Sequence, residues 1–233
     1  FKWDLNFNYT HNSTIVNEIY EGLDEIAVAA QTEIPVGIYA VVGEEYPQMK
    51  SNVYERDPQG RIVIDPATGW PKVLDNQAFM GRTTPPHIYG LSSTLSYKGF
   101  SVSATFDYRT GHVYYEQGSQ QMEFTGRSLA SVSANRQDFV IPNSVIDTGT
   151  EYIPNTNIQV QNGRQTYWTD VYNAVGENYV KDATALKFRE LSVSYDIPKK
   201  YIQKLSLNKV TIGFIGRNLM TWLPEENSFA DPE

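Results

Sequence analysis

Three histidines, His11, His87 and His112, supply the imidazoles of the chain, and none stands at metal-ligand spacing from another. A protein zinc site draws its ligands from closely spaced His, Cys or carboxylate residues. Without cysteine, thiolate metal centres, thiol nucleophiles and disulfide frameworks are excluded. The histidines are therefore read as polar residues of loops and strand ends, and no metal or cofactor is expected. The acidic pairs Glu44-Glu45 and Glu225-Glu226 are adjacent in sequence. A glycosidase sets its two carboxyls across a cleft, so neighbouring glutamates in loops are solvated charge. No nucleophile elbow, phosphate loop or dinucleotide fingerprint occurs. The segment Asp65-Pro66-Ala67-Thr68-Gly69 lacks the alternating oxygen ligands of a calcium loop and is a turn. These residues point away from an enzyme.

What remains is recognition chemistry. Tyr114, Tyr115, Trp168, Tyr172 and Tyr179 stand among the amides Gln117, Gln120, Gln121, Gln165 and Asn173. Rings beside amides stack on sugars or grip peptides; the competing reading is that they pack on one another. Tyr114, Tyr115, Trp168 and Tyr172 are the candidate contacts with a substrate or a covering partner. The net charge of −8 and the pI of about 5.0 provide no basic stripe, so no nucleic-acid partner is expected.

The elements that must carry these residues have period two. Trp3, Leu5, Phe7 and Tyr9 share one face of a strand, and Lys2, Asp4, Asn6 and Asn8 the other. Tyr89, Leu91, Leu95 and Tyr97 lead into Lys98-Gly99, after which Phe100, Val102, Ala104, Phe106 and Tyr108 form an apolar set. A two-residue turn would place Tyr97 opposite Phe100 and keep the two apolar sets on one face. Their opposite face carries Ser92, Thr94, Ser101, Ser103, Thr105, Asp107 and Arg109, small and hydroxylated, as suits a wet lumen. Leu191, Val193 and Tyr195 alternate again, but Leu186 and Phe188 have the other parity, which predicts a bulge at Arg189-Glu190. Val210, Ile212 and Phe214 alternate with Thr211, Gly213 and Ile215, and Arg217 continues the second set. Asp107, Arg109 and Arg217 are thus the expected lumen-facing charges. A further strand is expected at about Ile34 to Val42.

Strands of about ten residues are long enough to cross a bilayer at a tilt. No run of apolar residues is long enough for a membrane-crossing helix. The connections are uneven: Lys98-Gly99 is two residues and Ile197 to Ser206 is also short, whereas Gly43 to His87 and Thr110 to Ala183 are long. Compact soluble domains seldom hold structureless loops of that size, but outer-membrane barrels pair short periplasmic turns with long extracellular loops. Alternation puts both long loops outside, and it puts His11 to Glu33 awkwardly on the periplasmic side. The expected fold is all-β: an antiparallel transmembrane β-barrel segment with long extracellular loops. The chain opens within a strand and ends within a loop, so residues 1–233 are expected to be one partial barrel domain.

Four stretches resemble the C-terminal part of SusC/RagA-type TonB-dependent outer-membrane transporters. They are Trp3-Asp4-Leu5-Asn6-Phe7-Asn8-Tyr9; Thr84-Pro85-Pro86-His87-Ile88-Tyr89-Gly90-Leu91 running into Leu95-Ser96-Tyr97-Lys98-Gly99-Phe100; Tyr179-Val180-Lys181-Asp182 through Leu191; and Arg217-Asn218-Leu219 with Asp231-Pro232-Glu233. The resemblance implies a plugged barrel of about 22 strands, of which this chain would supply about six, with plug, early strands and closing strands lying elsewhere. It implies import of glycan or peptide cargo across the Gram-negative outer membrane, powered by TonB–ExbB–ExbD, under a SusD-like surface lipoprotein as lid. At the loop before Thr84, the family's Asn-Gly-Asp-Gly run is replaced by Asp57-Pro58-Gln59-Gly60-Arg61. Two other readings compete: a secreted β-sandwich that binds glycans, and a β-rich hydrolase. A sandwich would have shorter strands, more even loops and an apolar face covered by a second sheet. A hydrolase would need convergent carboxyls or a nucleophile with its base.

Overall fold

The computed structural model describes residues 1–30, 35–203, 207–227 and 230–232. Strand β1 (Lys2–His11) leads into an excursion holding β2 (Glu25–Ala30), β3 (Val36–Val41), β4 (Gln48–Ser51), β5 (Ile62–Ile64) and β6 (Ala78–Arg82). The hairpin β7 (His87–Tyr97) and β8 (Phe100–Thr110) follows. A second excursion holds β9 (Val113–Tyr115), helix α1 (Gln117–Phe124), β10 (Ser144–Asp147), β11 (Tyr152–Pro154) and β12 (Val180–Asp182). Then come β13 (Ala185–Asp196), the short helix α2 (Lys199–Ile202) and β14 (Thr211–Trp222).

The frame is a five-stranded antiparallel sheet in the order β1-β7-β8-β13-β14, an up-and-down meander. Lys98 and Gly99 have φ of 48° and 89°, the left-handed pair that a two-residue hairpin turn requires and glycine accepts without strain. The turn fixes the register, and Tyr97 lies opposite Phe100 as the alternation predicts. From there single rows run across the sheet. Trp3 faces Leu95, Leu95 faces Val102, Val102 faces Val193, and Val193 faces Phe214. The neighbouring row is Asp4, Thr94, Ser103, Ser192 and Ile215. The bulge falls where the parity switch puts it. Phe188 opposes Phe106 and Glu190 opposes Thr105, so Arg189 is the extra residue and Leu186 and Phe188 rejoin the apolar face.

One expected strand is not in this sheet. β3 pairs with β2 and β4 in a separate four-stranded sheet, and Ile34 lies outside the described residues. β1 is bonded directly to β7, with His11 opposite His87, so no strand can stand between them. Residues 12–86 are one excursion on the same side as 111–184, and the supposed periplasmic segment from His11 disappears. The sheet has five strands rather than six. The apolar tract around Ile38 and Ala40 indicates a strand, but it does not say which sheet the strand joins. The antiparallel rule also has an exception, because β5 and β10 pair in parallel and join the two excursions. The short link after β13 contains α2 as well as a turn, and residues 204–206 of it lie outside the described set.

The core sits in the excursions. Ile64, Ile141, Val160, Tyr167 and Trp168 form a buried cluster, with Trp70, Phe139, Ile146, Ile158, Val171 and Tyr172 packed around it. Of the five sheet strands, only β13 contributes a buried apolar residue, Ala185 at its end. The large apolar residues of the sheet are exposed, among them Trp3, Phe7, Leu95, Val102, Val193 and Phe214. The sheet's stability in water is therefore not supplied by burial of its own apolar face.

Candidate functional site

The polar face of the sheet carries small hydroxyls and paired charges. Thr94 Oγ1 donates to Ser103 Oγ at 3.0 Å, and Ser96 and Ser101 hydroxyls meet at 3.1 Å. Asp107 lies in register with Gly90 and Lys187 at the loop end of the sheet. Its Oδ1 accepts from Arg109 Nε at 3.1 Å and from Arg189, the bulge residue, at 3.2 Å. Arg217 Nε donates to Glu190 Oε2 at 3.0 Å across β13 and β14. Lys187, only 5% exposed, donates to Asp231 Oδ1 at 2.6 Å, which folds the tail beyond β14 back over this face. Asp107 and Arg109 thus form one cluster, and Arg217 stands apart on β14.

The loop aromatics separate into two groups. Trp168 is 7% exposed, and it lies with Tyr172 in a chain of ring contacts. Tyr167 meets Trp168 edge-on at 5.1 Å, Phe139 meets Tyr167 edge-on at 5.3 Å, and Tyr172 meets Tyr179 edge-on at 6.0 Å. Such edge-to-face pairs are the favoured geometry of aromatic quadrupoles. Tyr115, on β9, is half-buried and donates to Gln120 Oε1 at 2.5 Å, and burial pushes its hydroxyl up to about 12. Tyr114 points the other way, its hydroxyl 3.1 Å from Glu116 Oε1 and 3.3 Å from the Ala230 carbonyl. Sequence reasoning placed these residues in one loop; the structure brings Tyr115, Tyr172 and Trp168 into a single aromatic chain through Tyr179 and Tyr167 and leaves Tyr114 beside the tail.

Two carboxyls lie beneath these rings. Glu116 is 1% exposed and accepts from the Ser119 hydroxyl and from the Ala230 amide. Glu123, two turns on along α1, is 8% exposed. Burial pushes its carboxyl up and the Glu116 charge adds to this, against the opposing Tyr179 hydroxyl and Lys181. In the first excursion, Asp57 accepts from the amides of Gln59 and Arg61 and from the Arg61 guanidinium at 2.7 Å. Burial of Asp57 works against its charge, but these donors outweigh it and hold the carboxyl below the usual range. The Arg61 guanidinium thus takes up the Asp57 carboxylate within the turn.

Two clefts open beside the aromatic chain. One, of about 460 Å³, is bordered by Glu123, Arg136, Arg164 and Trp168. The other, of about 340 Å³, lies between the two excursions, among Tyr54, Arg56, Ile62, Phe139, Tyr167, Trp168 and Tyr172. Tyr54, Arg56 and Glu177 were not singled out from the sequence. The Tyr54 amide donates to Glu177 Oε2 at 2.8 Å, and Arg56 pairs with Glu177 Oε1 at 2.5 Å. These partners are more than 120 residues apart, and nothing local in the chain marks them. His11 and His87 stack at 5.0 Å at the loop end of the sheet, with Tyr9 Oη 2.9 Å from His87 Nδ1. Among the described residues, no group of three ligands is placed to hold a metal.

No protein-family profile matches the chain. The chain is 23% identical over 255 residues to TonB-dependent receptor P3 of Formosa agariphila, along 100% of its own length and 23% of that protein's. The RagAB peptide transporter superposes with a TM-score of 0.59 at 17% identity, over 96% of this chain and 24% of that one. The RagAB peptide importer in its closed-closed state gives 0.57 at 16% identity with the same coverage. The chain thus spans about a quarter of the length of the proteins it matches. This chain thus aligns along all of its length with a TonB-dependent receptor and shares its fold with part of the RagAB structures.

Proposed function

We propose that the chain is a stretch of barrel wall, with its outer loops, in a Gram-negative outer-membrane transporter that imports glycan or peptide fragments. The observation that carries this is the apolar face of the five-stranded sheet: its large side chains are exposed across every strand while the core lies in the excursions. In a sandwich a second sheet would cover that face; here no second layer of described residues does. Lipid is the solvent that such a face fits. Aromatic rings stand at both edges of the band. Tyr97, Phe100 and Tyr195 form a row at the turn side, and Tyr9, Tyr89 and Tyr108 one at the loop side. Eight residues separate Tyr97 from Tyr89, about 26 Å along a strand and about 20 Å along the bilayer normal at a tilt near 40°. That approaches the apolar band of outer-membrane barrels, roughly 25 Å tall with aromatic girdles.

The sheet's outer strands β1 and β14 are where further strands would pair to close a barrel of about 22 strands around a plug. The reading assigns this chain no enzymatic activity. TonB–ExbB–ExbD would act through the plug, and a SusD-like lipoprotein would sit over the excursions. Asp107, Arg109 and Arg217 would line the lumen, and Tyr114, Tyr115, Trp168 and Tyr172 would contribute to cargo or lid contact. The test uses the intact gene in its host. The protein is expected in the outer-membrane fraction, and uptake of fluorescent oligosaccharides or peptides is expected to stop when TonB is deleted. Recovery as a soluble secreted protein, or TonB-independent uptake, overturns the proposal.

A further inference from the structure

The cleft of about 340 Å³ between the two excursions is partly open and has room for a ring; an apolar cavity near 150 Å³ already holds a benzene ring. Its deep wall is aromatic and more than nine-tenths buried: Tyr54, Tyr167 and Trp168 are 4%, 5% and 7% exposed. Ile62, Pro71 and Ile141 add aliphatic surface. The polar groups at its edge are already engaged with one another. Arg56 pairs with Glu177, and Asn178 Nδ2 donates to Tyr54 Oη at 2.7 Å. A sugar unit needs free donors and acceptors around its ring edge, and these groups offer few. The phenols of Tyr167 and Tyr172 are different, and Tyr167 is the more buried of the two. The Tyr167 hydroxyl makes no hydrogen bond to the described residues, although its side chain is nearly enclosed.

We propose that this cleft is a specificity subsite that takes one bulky apolar or aromatic side chain of a peptide ligand, with the Tyr167 hydroxyl bonding the ligand's polar atoms. The inference rests on the transporter reading and narrows its cargo to peptides. Largely apolar walls with a few phenol hydroxyls favour a hydrophobic group carrying one neighbouring carbonyl, which is the pattern of a peptide residue. The two excursions both contribute walls, so occupancy would also tie residues 12–86 to 111–184.

The experiment uses the full-length transporter in detergent and titrates N-acetylphenylalaninamide, N-acetylglycinamide and cellobiose by calorimetry. Two variants accompany it. Ala130→Trp fills the cleft from its exposed rim, and Tyr167→Phe removes the hydroxyl but keeps the ring. The phenylalanine compound is expected to bind saturably, and the glycine compound and cellobiose are not. Ala130→Trp should weaken binding at least about tenfold, since the occupied volume is lost. Tyr167→Phe should weaken it about threefold to tenfold, the worth of one hydrogen bond. Binding unchanged by Ala130→Trp, equal binding of the glycine compound, or absence of saturable binding overturns the subsite. Cellobiose binding that Ala130→Trp abolishes overturns the peptide assignment in favour of a glycan. TonB-dependent uptake measured in parallel separates the two claims: uptake that persists while the cleft fails to bind leaves the transporter reading standing.

Discussion

At the scale of single residues, the buried carboxyl of Glu123 makes a signed prediction. Its folded pKa is raised above the unfolded value, by burial first and by Glu116 second. The folded state therefore holds a proton that the unfolded state releases, and stability falls as pH rises from the ordinary glutamate range through the folded pKa. Glu123→Gln is expected to stabilise the 111–184 excursion at neutral pH and to flatten this slope. Hydrogen exchange of that segment against pH would show it; a steeper slope, or stability that rises with pH in the parent, would refute it. Gly69 makes a second prediction. Its φ is +71°, and a Cβ there would lie 2.2 Å from the Gln159 carbonyl oxygen. Gly69→Ala combines left-handed strain with a backbone clash, and should cost about 1–3 kcal/mol in the packing of the two excursions. Faster exchange of amides near Val160 with unchanged exchange in β7 and β8 is the expected signature; unaltered exchange near Val160 refutes it. Neither effect was legible in the sequence. Glu123 resembles any solvated helix glutamate, and Gly69 resembles any turn glycine, because their consequences come from neighbours distant along the chain.

At the scale of elements, the hairpin and the bulge were legible, and the excursion sheets were not. Lys98-Gly99, flanked by alternating sets, leaves one register that keeps like faces together, so the pairing of Leu95 with Val102 and Thr94 with Ser103 could be read directly. The strand expected at about Ile34 to Val42 rests on a nearly continuous apolar tract, which indicates a strand but not the sheet it joins. The parallel join of β5 to β10 has three residues in register, Ile62 to Ser144 and its two successors, too short for any pattern. The Trp168 cluster drew attention for its rings, but their burial depends on Ile64 and Trp70 from the other excursion. The element prediction concerns the two faces of β8. Val102 lies two residues from Ala104, the small residue at mid-band, with its side chain on the exposed apolar face. In the intact transporter, Val102→Arg should cost about 2 kcal/mol through lipid-side burial of charge. Ser103→Arg, one residue on and facing the other way, should be tolerated. Folding titrations into lipid vesicles would measure both, and equal costs would undo the assignment of faces.

At the scale of the whole molecule, the architecture separates a sheet without its own core from a subdomain, built by the two excursions, that owns one. That separation sets the last prediction, deletion of residues 117–178 from the full-length transporter with a short flexible bridge in their place. The five-stranded sheet draws only Ala185 from the buried apolar set, so barrel assembly in the outer membrane should survive. The first excursion should not survive intact. Ile64 loses Ile141, Val160, Tyr167 and Trp168 at once, and Tyr54 and Arg56 lose Glu177. Residues 43–86 should then become sensitive to added protease in whole cells, whereas β7 and β8 stay protected by lipid. If the subdomain carries recognition, cargo uptake and retention of the surface lipoprotein should both fall, although the barrel is present at normal abundance. Measuring abundance, protease sensitivity, uptake and lipoprotein association on the same cells distinguishes the causes. Loss of the barrel itself would contradict the separation of sheet from subdomain. Unchanged uptake and lipoprotein association, with the barrel assembled and the first excursion cleaved, would reduce the subdomain to a cover over the barrel mouth.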